Sequence, residues 1–181
     1  MIEVRFHGRG GQGAVMASRI LATAFVKTGR YGASFPMFGF ERRGAPVTAF
    51  GRFDDKPIRE KTQIYTPHVL VVLDSSQRNS PRVFDGLAVN GTMVVNHGGS
   101  LDISHENLAR AGIIDASAIA QEEIGVPLPN TCILGAFARV TGLVDLDPLV
   151  ESLGDYFQGK KRRANALCME RGFSEVEIHT V

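Results

Sequence analysis

A three-layer α/β fold with a mostly parallel sheet and a helical C-terminal part is predicted by three features of this 181-residue sequence. A short apolar run, Ile2 to His7, leads straight into a glycine-rich loop and a helix-forming stretch, the β–loop–α unit that opens many α/β domains. Apolar, β-branched segments at Val69 to Leu73 and Thr92 to Val95 alternate with helical segments, the pattern of parallel strands covered on both faces. The last third carries helical periodicity and cap residues instead of strands. The length suits one domain, residues 1–181, with chain enough for a substantial core.

The loop GRGGQG follows the first strand. Gly8, Gly10 and Gly13 stand in G-x-G-x-x-G spacing, with Gly11 added and Arg9 and Gln12 between them. Such a loop turns sharply, lets a ligand approach the backbone and leaves N–H groups free at a helix N-terminus, which favours an anion, most often phosphate. A strand-to-helix turn without a ligand has the same spacing, so the motif alone leaves both readings open. The helix from Ala14 to Thr28 carries Val15, Ile20, Leu21, Phe25 and Val26 at helical spacing, and Gly29 suits its C-terminal cap. A dinucleotide-binding domain would next place an acid ~20 residues beyond the glycines to hold the ribose. Gly29 to Pro36 contains none, and Arg30 is left as the candidate for a 2′-phosphate.

Two prolines and two glycines within residues 36–46 exclude a long regular element. Met37, Phe38 and Phe40 are followed there by Glu41, Arg42, Arg43 and Gly44. Apolar anchors beside a charged cluster read as a docking loop, against an irregular connection packed on its own core. Glu41 is placed to pair with either arginine and leave the other for an anion. Val47 to Phe53 reads as a strand, Asp54 to Pro57 as a turn and Ile58 to Tyr65 as a second extended piece, together a hairpin. Val69 to Leu73 reads as a central buried strand with Asp74, Ser75 and Ser76 at its C-terminal end, where open α/β sheets place ligands. Asp74 is thus either a pocket residue or the cap of a turn.

A short helix is expected at Val83 to Leu87 and a buried strand at Thr92 to Val95, with His97 exposed in its glycine-rich exit loop. Ile113 and Ile114 form a last short strand, followed by a helix from Ala116 to Ile124. Asn130 or Thr131 caps a helix to about Val140, with Ile133, Leu134 and Phe137 on one face and Gly135, Ala136 and Ala138 on another suited to close approach. Asp147 and Pro148 open the next helix. Lys160, Lys161, Arg162 and Arg163 read as a solvated face near a helix start, with an acidic partner surface as the other reading.

A net charge of +1 argues against a dedicated nucleic-acid binder. No apolar run approaches the ~20 residues of a membrane span, and the N-terminus lacks a signal-peptide layout, so a cytoplasmic location is expected. Cys132 and Cys168 are far apart and read as small buried residues; two cysteines cannot supply the four thiolates of an iron–sulfur cluster. No metal-ligand set, nucleophile or paired acid and base is recognisable, so no catalytic residue is assigned.

Four segments together resemble the gamma subunit of the 2-oxoacid:ferredoxin oxidoreductases: FHGRGGQGAV at residues 6–15, FPMFGFERRGAPV at 35–47, KTQIYTPHVLVVLD at 61–74, and the Asn130-Thr131 … Leu134-Gly135-Ala136 helix. ERRGAPV resembles the pyruvate type in particular. The resemblance implies a Rossmann-like domain in a multi-subunit enzyme that oxidatively decarboxylates a 2-oxoacid, joins the acyl group to coenzyme A and passes electrons to ferredoxin. It implies thiamine diphosphate on the alpha and beta subunits and iron–sulfur clusters on beta and delta, in anaerobic metabolism. The gamma chain would bind no cofactor alone and would be inactive alone. Gly8, Arg9, Gly10, Gly11, Gln12 and Gly13 would face a coenzyme A phosphate or a segment of the catalytic subunits, while Met37, Phe38, Phe40, Glu41, Arg42, Arg43 and Gly44 would meet partner subunits. The alternatives are a subunit for 2-oxoglutarate, ketoisovalerate or indolepyruvate, a free-standing flavin- or NADP-binding oxidoreductase, and a purely structural subunit with an empty loop.

Overall fold

Residues 1–37, 44–100 and 103–181 are described by the computed structural model of the chain. Strand β1 (Ile2–Arg9) runs two residues beyond the predicted strand and hands over to helix α1 (Ala14–Lys27). The strand is two-sided rather than a single apolar run. Val4 and Phe6 enter the core under α1, while Arg5 and His7 turn to the opposite face and are buried there as well.

Strands β2 (Tyr31–Pro36), β3 (Pro46–Asp54), β4 (Val69–Val72), β5 (Gly91–Asn96), β6 (Leu108–Ile114) and β7 (Glu177–Thr180) complete a seven-stranded sheet of order β2-β3-β1-β4-β5-β6-β7. β1, β4, β5 and β6 form a parallel centre. β3 is antiparallel to both its neighbours and β7 antiparallel to β6, so the sheet is mixed. The α/β class and the helical C-terminal part are as the sequence predicts.

Two expected strand assignments are corrected. Residues 58–65 are not a strand, and the hairpin partner of β3 is β2. Pro57 and Pro67 bracket that segment, and its Glu60 and Thr62 carbonyls accept from the Arg52 guanidinium (3.3 and 2.7 Å) instead of a neighbouring strand. Strapped across the sheet, it buries Ile64 and Arg52, each 1% exposed. Ile113 and Ile114 belong to a seven-residue strand, and β7 rather than this strand is the last.

One face of the sheet packs against α1, α3 (Ala116–Ile124), α4 (Asn130–Thr141), α5 (Leu146–Ser152) and α6 (Gly159–Glu175). The other packs against the one-turn α2 (Pro81–Phe84), where Val83, Phe84 and Leu87 meet Leu70, Val72, Met93 and Val95. α4 is the pillar of the helical layer, with every residue but Arg139 and Thr141 buried. α6 crosses it at two glycines. An ideal Cβ on Gly135 would strike the Met169 carbonyl oxygen, and one on Gly172 would strike that of Cys132. Cys132 and Cys168 are buried at this crossing, where burial pushes the Cys168 thiol up to about 11 and Cys132 higher still. Lys160 to Arg163 lie exposed in the first turns of α6.

Arg5 and His7 make the second face titratable. Arg5 donates through Nε to His7 Nε2 (3.0 Å) and through Nη2 to the Val83 and Asp85 carbonyls (2.9 and 2.7 Å). Burial, followed by the neighbouring Arg5 charge, pushes the His7 ring down to about 3 from its usual 6.5. The unfolded chain therefore takes up this proton first as the pH falls. The contribution of His7 is complete above pH ~6.5 and is lost toward pH 3 at about 1.4 kcal/mol per pH unit. His7→Gln, which keeps an acceptor for Arg5, is expected to flatten the fall in urea midpoint between pH 6.5 and 5. Equal slopes in the two proteins would show that His7 does not carry it.

Candidate ligand and partner site at the sheet edge

The chain leaves β1 toward α1 on one face of the sheet and leaves β4 toward α2 on the other. Neighbouring parallel strands whose exits diverge open a crevice at their C-terminal ends, the switch point where α/β sheets bind ligands. The loop Gly8–Gly13 and Asp74 stand on its two sides.

The turn itself is closed by Gln12. Its Oε1 accepts from the Arg9 N–H (2.7 Å) and its N–H donates to the Arg9 carbonyl (3.0 Å). Gly13, at φ 80°, then starts α1 with no side-chain cap and no acid in the first turn. The first N–H groups of this 14-residue helix therefore have neither a side-chain cap nor an acidic side chain to meet them.

Arg9 does not reach out of the site. Its guanidinium binds Asp74 Oδ2 (2.6 Å), the Gly44 carbonyl (3.1 Å) and Ser76 Oγ (3.2 Å), so its charge is met within the chain. Asp74 fills both roles open to it from sequence. It caps the one-turn helix Ser75–Gln77 by accepting from the Ser76 N–H, and it anchors Arg9. Burial acts to raise its carboxyl, but the Ser76 hydroxyl and N–H and the Arg9 guanidinium outweigh it and hold the group below the usual carboxylate range. Gln77 Nε2 reaches the Gly8 carbonyl (3.0 Å) and completes the tie between the two strand ends.

The two motifs that stand far apart in sequence meet here. Gly10 N–H donates to the Ala45 carbonyl (2.9 Å) and Gly44 N–H to the Gly10 carbonyl (3.3 Å), clipping the base of the β2–β3 connection onto the glycine loop. Met37 is 45% exposed at the other side of that connection. Phe38, Phe40, Glu41, Arg42 and Arg43 lie outside the described residues.

Between the loop and the helical layer is a cavity of about 340 Å³ lined by Gly13, Val15, Met16, Val47, Leu128, Asn130 and Phe157 among others. Hollows of about 560 and 520 Å³ lie elsewhere, at Phe84–His105 and at Asp115–Arg171, away from both motifs. Asn130 is the residue that sequence reasoning assigns differently. It does not precede α4 as its cap but is the helix's first residue, after Pro129, and is 2% exposed. Its signal is a polar side chain directly after proline at the head of an apolar helix.

His97 is also corrected. It is half-buried and shares a hydrogen bond of 2.7 Å with Ser75 Oγ through Nδ1, a pairing created by the adjacency of β4 and β5. Arg30 pairs with Asp55 (2.8 Å) and lies over the Phe25 ring, away from the glycine loop. Among the described residues no group of three His, Cys, Asp or Glu side chains is arranged to hold a metal ion, and no helix is long and apolar enough to cross a membrane.

Comparison with known proteins decides the family. The model of the pyruvate ferredoxin/flavodoxin oxidoreductase family matches residues 3–175. The chain belongs to this family. It is similar to the pyruvate/ketoisovalerate oxidoreductases common subunit gamma of Thermococcus kodakarensis, 49% identical with 99% of each chain covered. It is also similar to the NADH-dependent phenylglyoxylate dehydrogenase subunit gamma of Aromatoleum evansii, 45% identical over 100% of this chain and 97% of that one. The crystal structure of pyruvate oxidoreductase subunit PORC from Thermotoga maritima superimposes with a TM-score of 0.86 at 35% identity, covering 98% of this chain and 97% of the other. The chain is thus a gamma subunit of the 2-oxoacid:ferredoxin oxidoreductases, a member of a multi-subunit enzyme that works with partner subunits.

Proposed function

We propose that this gamma subunit serves a pyruvate-type enzyme with alpha, beta and delta partners, in which it contributes assembly contacts and part of the coenzyme A site. In this reading thiamine diphosphate and the iron–sulfur clusters reside on the partners, and electrons leave to ferredoxin from the complex. The observation that carries the coenzyme A role is the uncapped N-terminus of α1 beside the cavity between the glycine loop and the helical layer. Backbone N–H groups, rather than Arg9, whose guanidinium is paired within the chain, would meet the anionic part of the ligand. The 37–44 connection, clipped to the same loop, would face the partner subunits through Met37, Phe38, Phe40, Glu41, Arg42, Arg43 and Gly44. A 2-oxoacid other than pyruvate is the second reading, because the relative from Aromatoleum evansii is named for phenylglyoxylate.

The test is purification of the tagged chain from its native host. Three companion subunits, a brown colour and pyruvate-dependent ferredoxin reduction that requires coenzyme A are expected. In the same complex Gly13→Ala, which forces a side chain into positive φ and against Asn130, is expected to raise the KM for coenzyme A about tenfold. A chain that purifies alone, or an unchanged coenzyme A dependence in Gly13→Ala, would overturn the corresponding half of the reading.

A further inference from the structure

β2 is an outer strand of the sheet, bonded on one side only. Tyr31 to Pro36 pair with Asp54 to Ala49 of β3 in unbroken antiparallel register, and Met37 N–H donates to the Thr48 carbonyl one step further on (2.9 Å). Residues that exchange hydrogen bonds alternate along such a ladder with residues that do not. Tyr31, Ala33, Phe35 and Met37 therefore turn their backbone groups toward β3, while Gly32, Ser34 and Pro36 turn theirs outward. Among the described residues the outward groups of Gly32 and Ser34 have no backbone partner.

This edge is also unguarded. Sheet edges are ordinarily protected from pairing by charge, brevity or a bulge. β7, the opposite edge, has four residues, all exposed, with Glu177 and His179 among them. β2 has six and no charged side chain, and its Pro36 blocks only the last step. Beside it lies a hollow of about 400 Å³, lined by Tyr31 to Phe35 and by Ile58 and Lys61 of the strap.

We infer that β2 is the joint between two copies of this chain, paired antiparallel across a two-fold axis at Ala33. The backbone count selects this register. With Ala33 opposite its own copy, Gly32 faces Ser34 of the second chain, and the N–H and C=O of both are satisfied in four inter-chain hydrogen bonds. With the axis one residue nearer Pro36, the Gly32 carbonyl would face a residue that has no N–H. With the axis one residue the other way, Ser34 would face Arg30, whose N–H already donates to the Phe25 carbonyl (3.1 Å).

The side chains fit the same axis. Tyr31 comes opposite Phe35 twice, in the closer, non-hydrogen-bonded kind of pair, and aromatic pairs across strands stabilise a ladder. Tyr31 is 43% exposed in the single chain, and Phe35 already lies against Phe50 with ring centres 5.4 Å apart, so the incoming ring would lengthen an aromatic row. Aromatics spaced equally on either side of a small residue are what a strand pairing with itself requires. A strand from another subunit places no such demand. So short a ladder buries less than the ~1,600 Å² of a standard interface, and the dissociation constant of the chain alone is expected on the order of 10 µM.

The test is disulfide cross-linking of the full chain, in which Cys132 and Cys168 are buried. Ala33→Cys would meet its own copy with Cα atoms ~4.5 Å apart, within reach of a disulfide, whereas Tyr31→Cys would stand ~14 Å from its copy. Under copper–phenanthroline, Ala33→Cys is expected to form covalent dimer about tenfold faster than Tyr31→Cys. Sedimentation of the unmodified chain is expected to shift from monomer to dimer as concentration rises. Ser34→Pro, which removes an outward N–H, should abolish the shift, and Ser34→Ala, which loses only the hydroxyl bond to Ser18, should keep it. A chain that stays monomeric, equal cross-linking at 31 and 33, or a dimer that survives Ser34→Pro would each overturn the inference. In the purified complex, cross-linking of Ala33→Cys to a companion subunit instead of a second gamma chain would assign the edge to that partner and overturn it too.

Discussion

Gly135→Ala is expected to destabilise the chain by about 3 kcal/mol, a large effect for a single added methyl group. The cause is backbone against backbone. The new Cβ would meet the Met169 carbonyl oxygen and crowd the Phe173 nitrogen, and neither can rotate away as a side chain can. α4 and α6 would have to part, and the loss would spread to Cys132, Ile133, Leu134 and Met169, which are buried in the same core cluster. Gly154→Ala is the control, because the nearest atoms to its added Cβ belong to the mobile end of Arg162 at 3.3 Å; it should change stability by less than about 1 kcal/mol. Urea unfolding of the two variants measures the difference. Equal midpoints would mean that the helices do not cross as closely as the glycines require.

Arg52→Ala is expected to lose about 3–5 kcal/mol, for an electrostatic reason. Its guanidinium is almost wholly buried, binds Glu3 Oε1 at 2.7 Å and holds the strap at residues 58–65 through two carbonyls. Truncation leaves the part-buried Glu3 carboxylate and both carbonyls without their donor, and frees the strap that carries the buried Ile64. The double variant Arg52→Met with Glu3→Gln removes both charges and keeps the volume. It should recover most of the loss, since apolar replacement of a buried pair is often close to neutral. Stability is read from urea unfolding and release of the strap from its rate of proteolysis. A double variant no better than Arg52→Ala would show that packing, not the unpaired charge, dominates.

Both effects depend on contacts between residues distant in sequence. The spacing of Gly135 and Ala138 marks a helix face suited to close approach, but its partner, the α6 backbone around Met169, is set only by how the helices cross. Arg52 sits in a strand pattern where an arginine ordinarily points to solvent. It is buried because residues 58–65, which look like a strand on β-propensity alone, cannot pair with β3, already flanked by β2 and β1, and cover Arg52 instead.

Local chemistry determined much of this protein without any tertiary information. The β1–glycine loop–α1 opening, the buried strand at Val69, the helix at Ala116 and the helical C-terminal third follow from periodicity, caps and glycine, all read within a turn or a strand's length. The same is true of the two long motifs that point to the family, because they are contiguous. The tertiary structure decided what those motifs do to each other. It clipped the 44–45 backbone to the glycine loop, spent the charge of Arg9 on Asp74, paired His97 with Ser75, and brought Asn130 against Gly13 across 117 residues of chain. Sequence patterns report the faces of single elements. Which faces meet is set by strand order and helix crossing, and the candidate site is made where they meet.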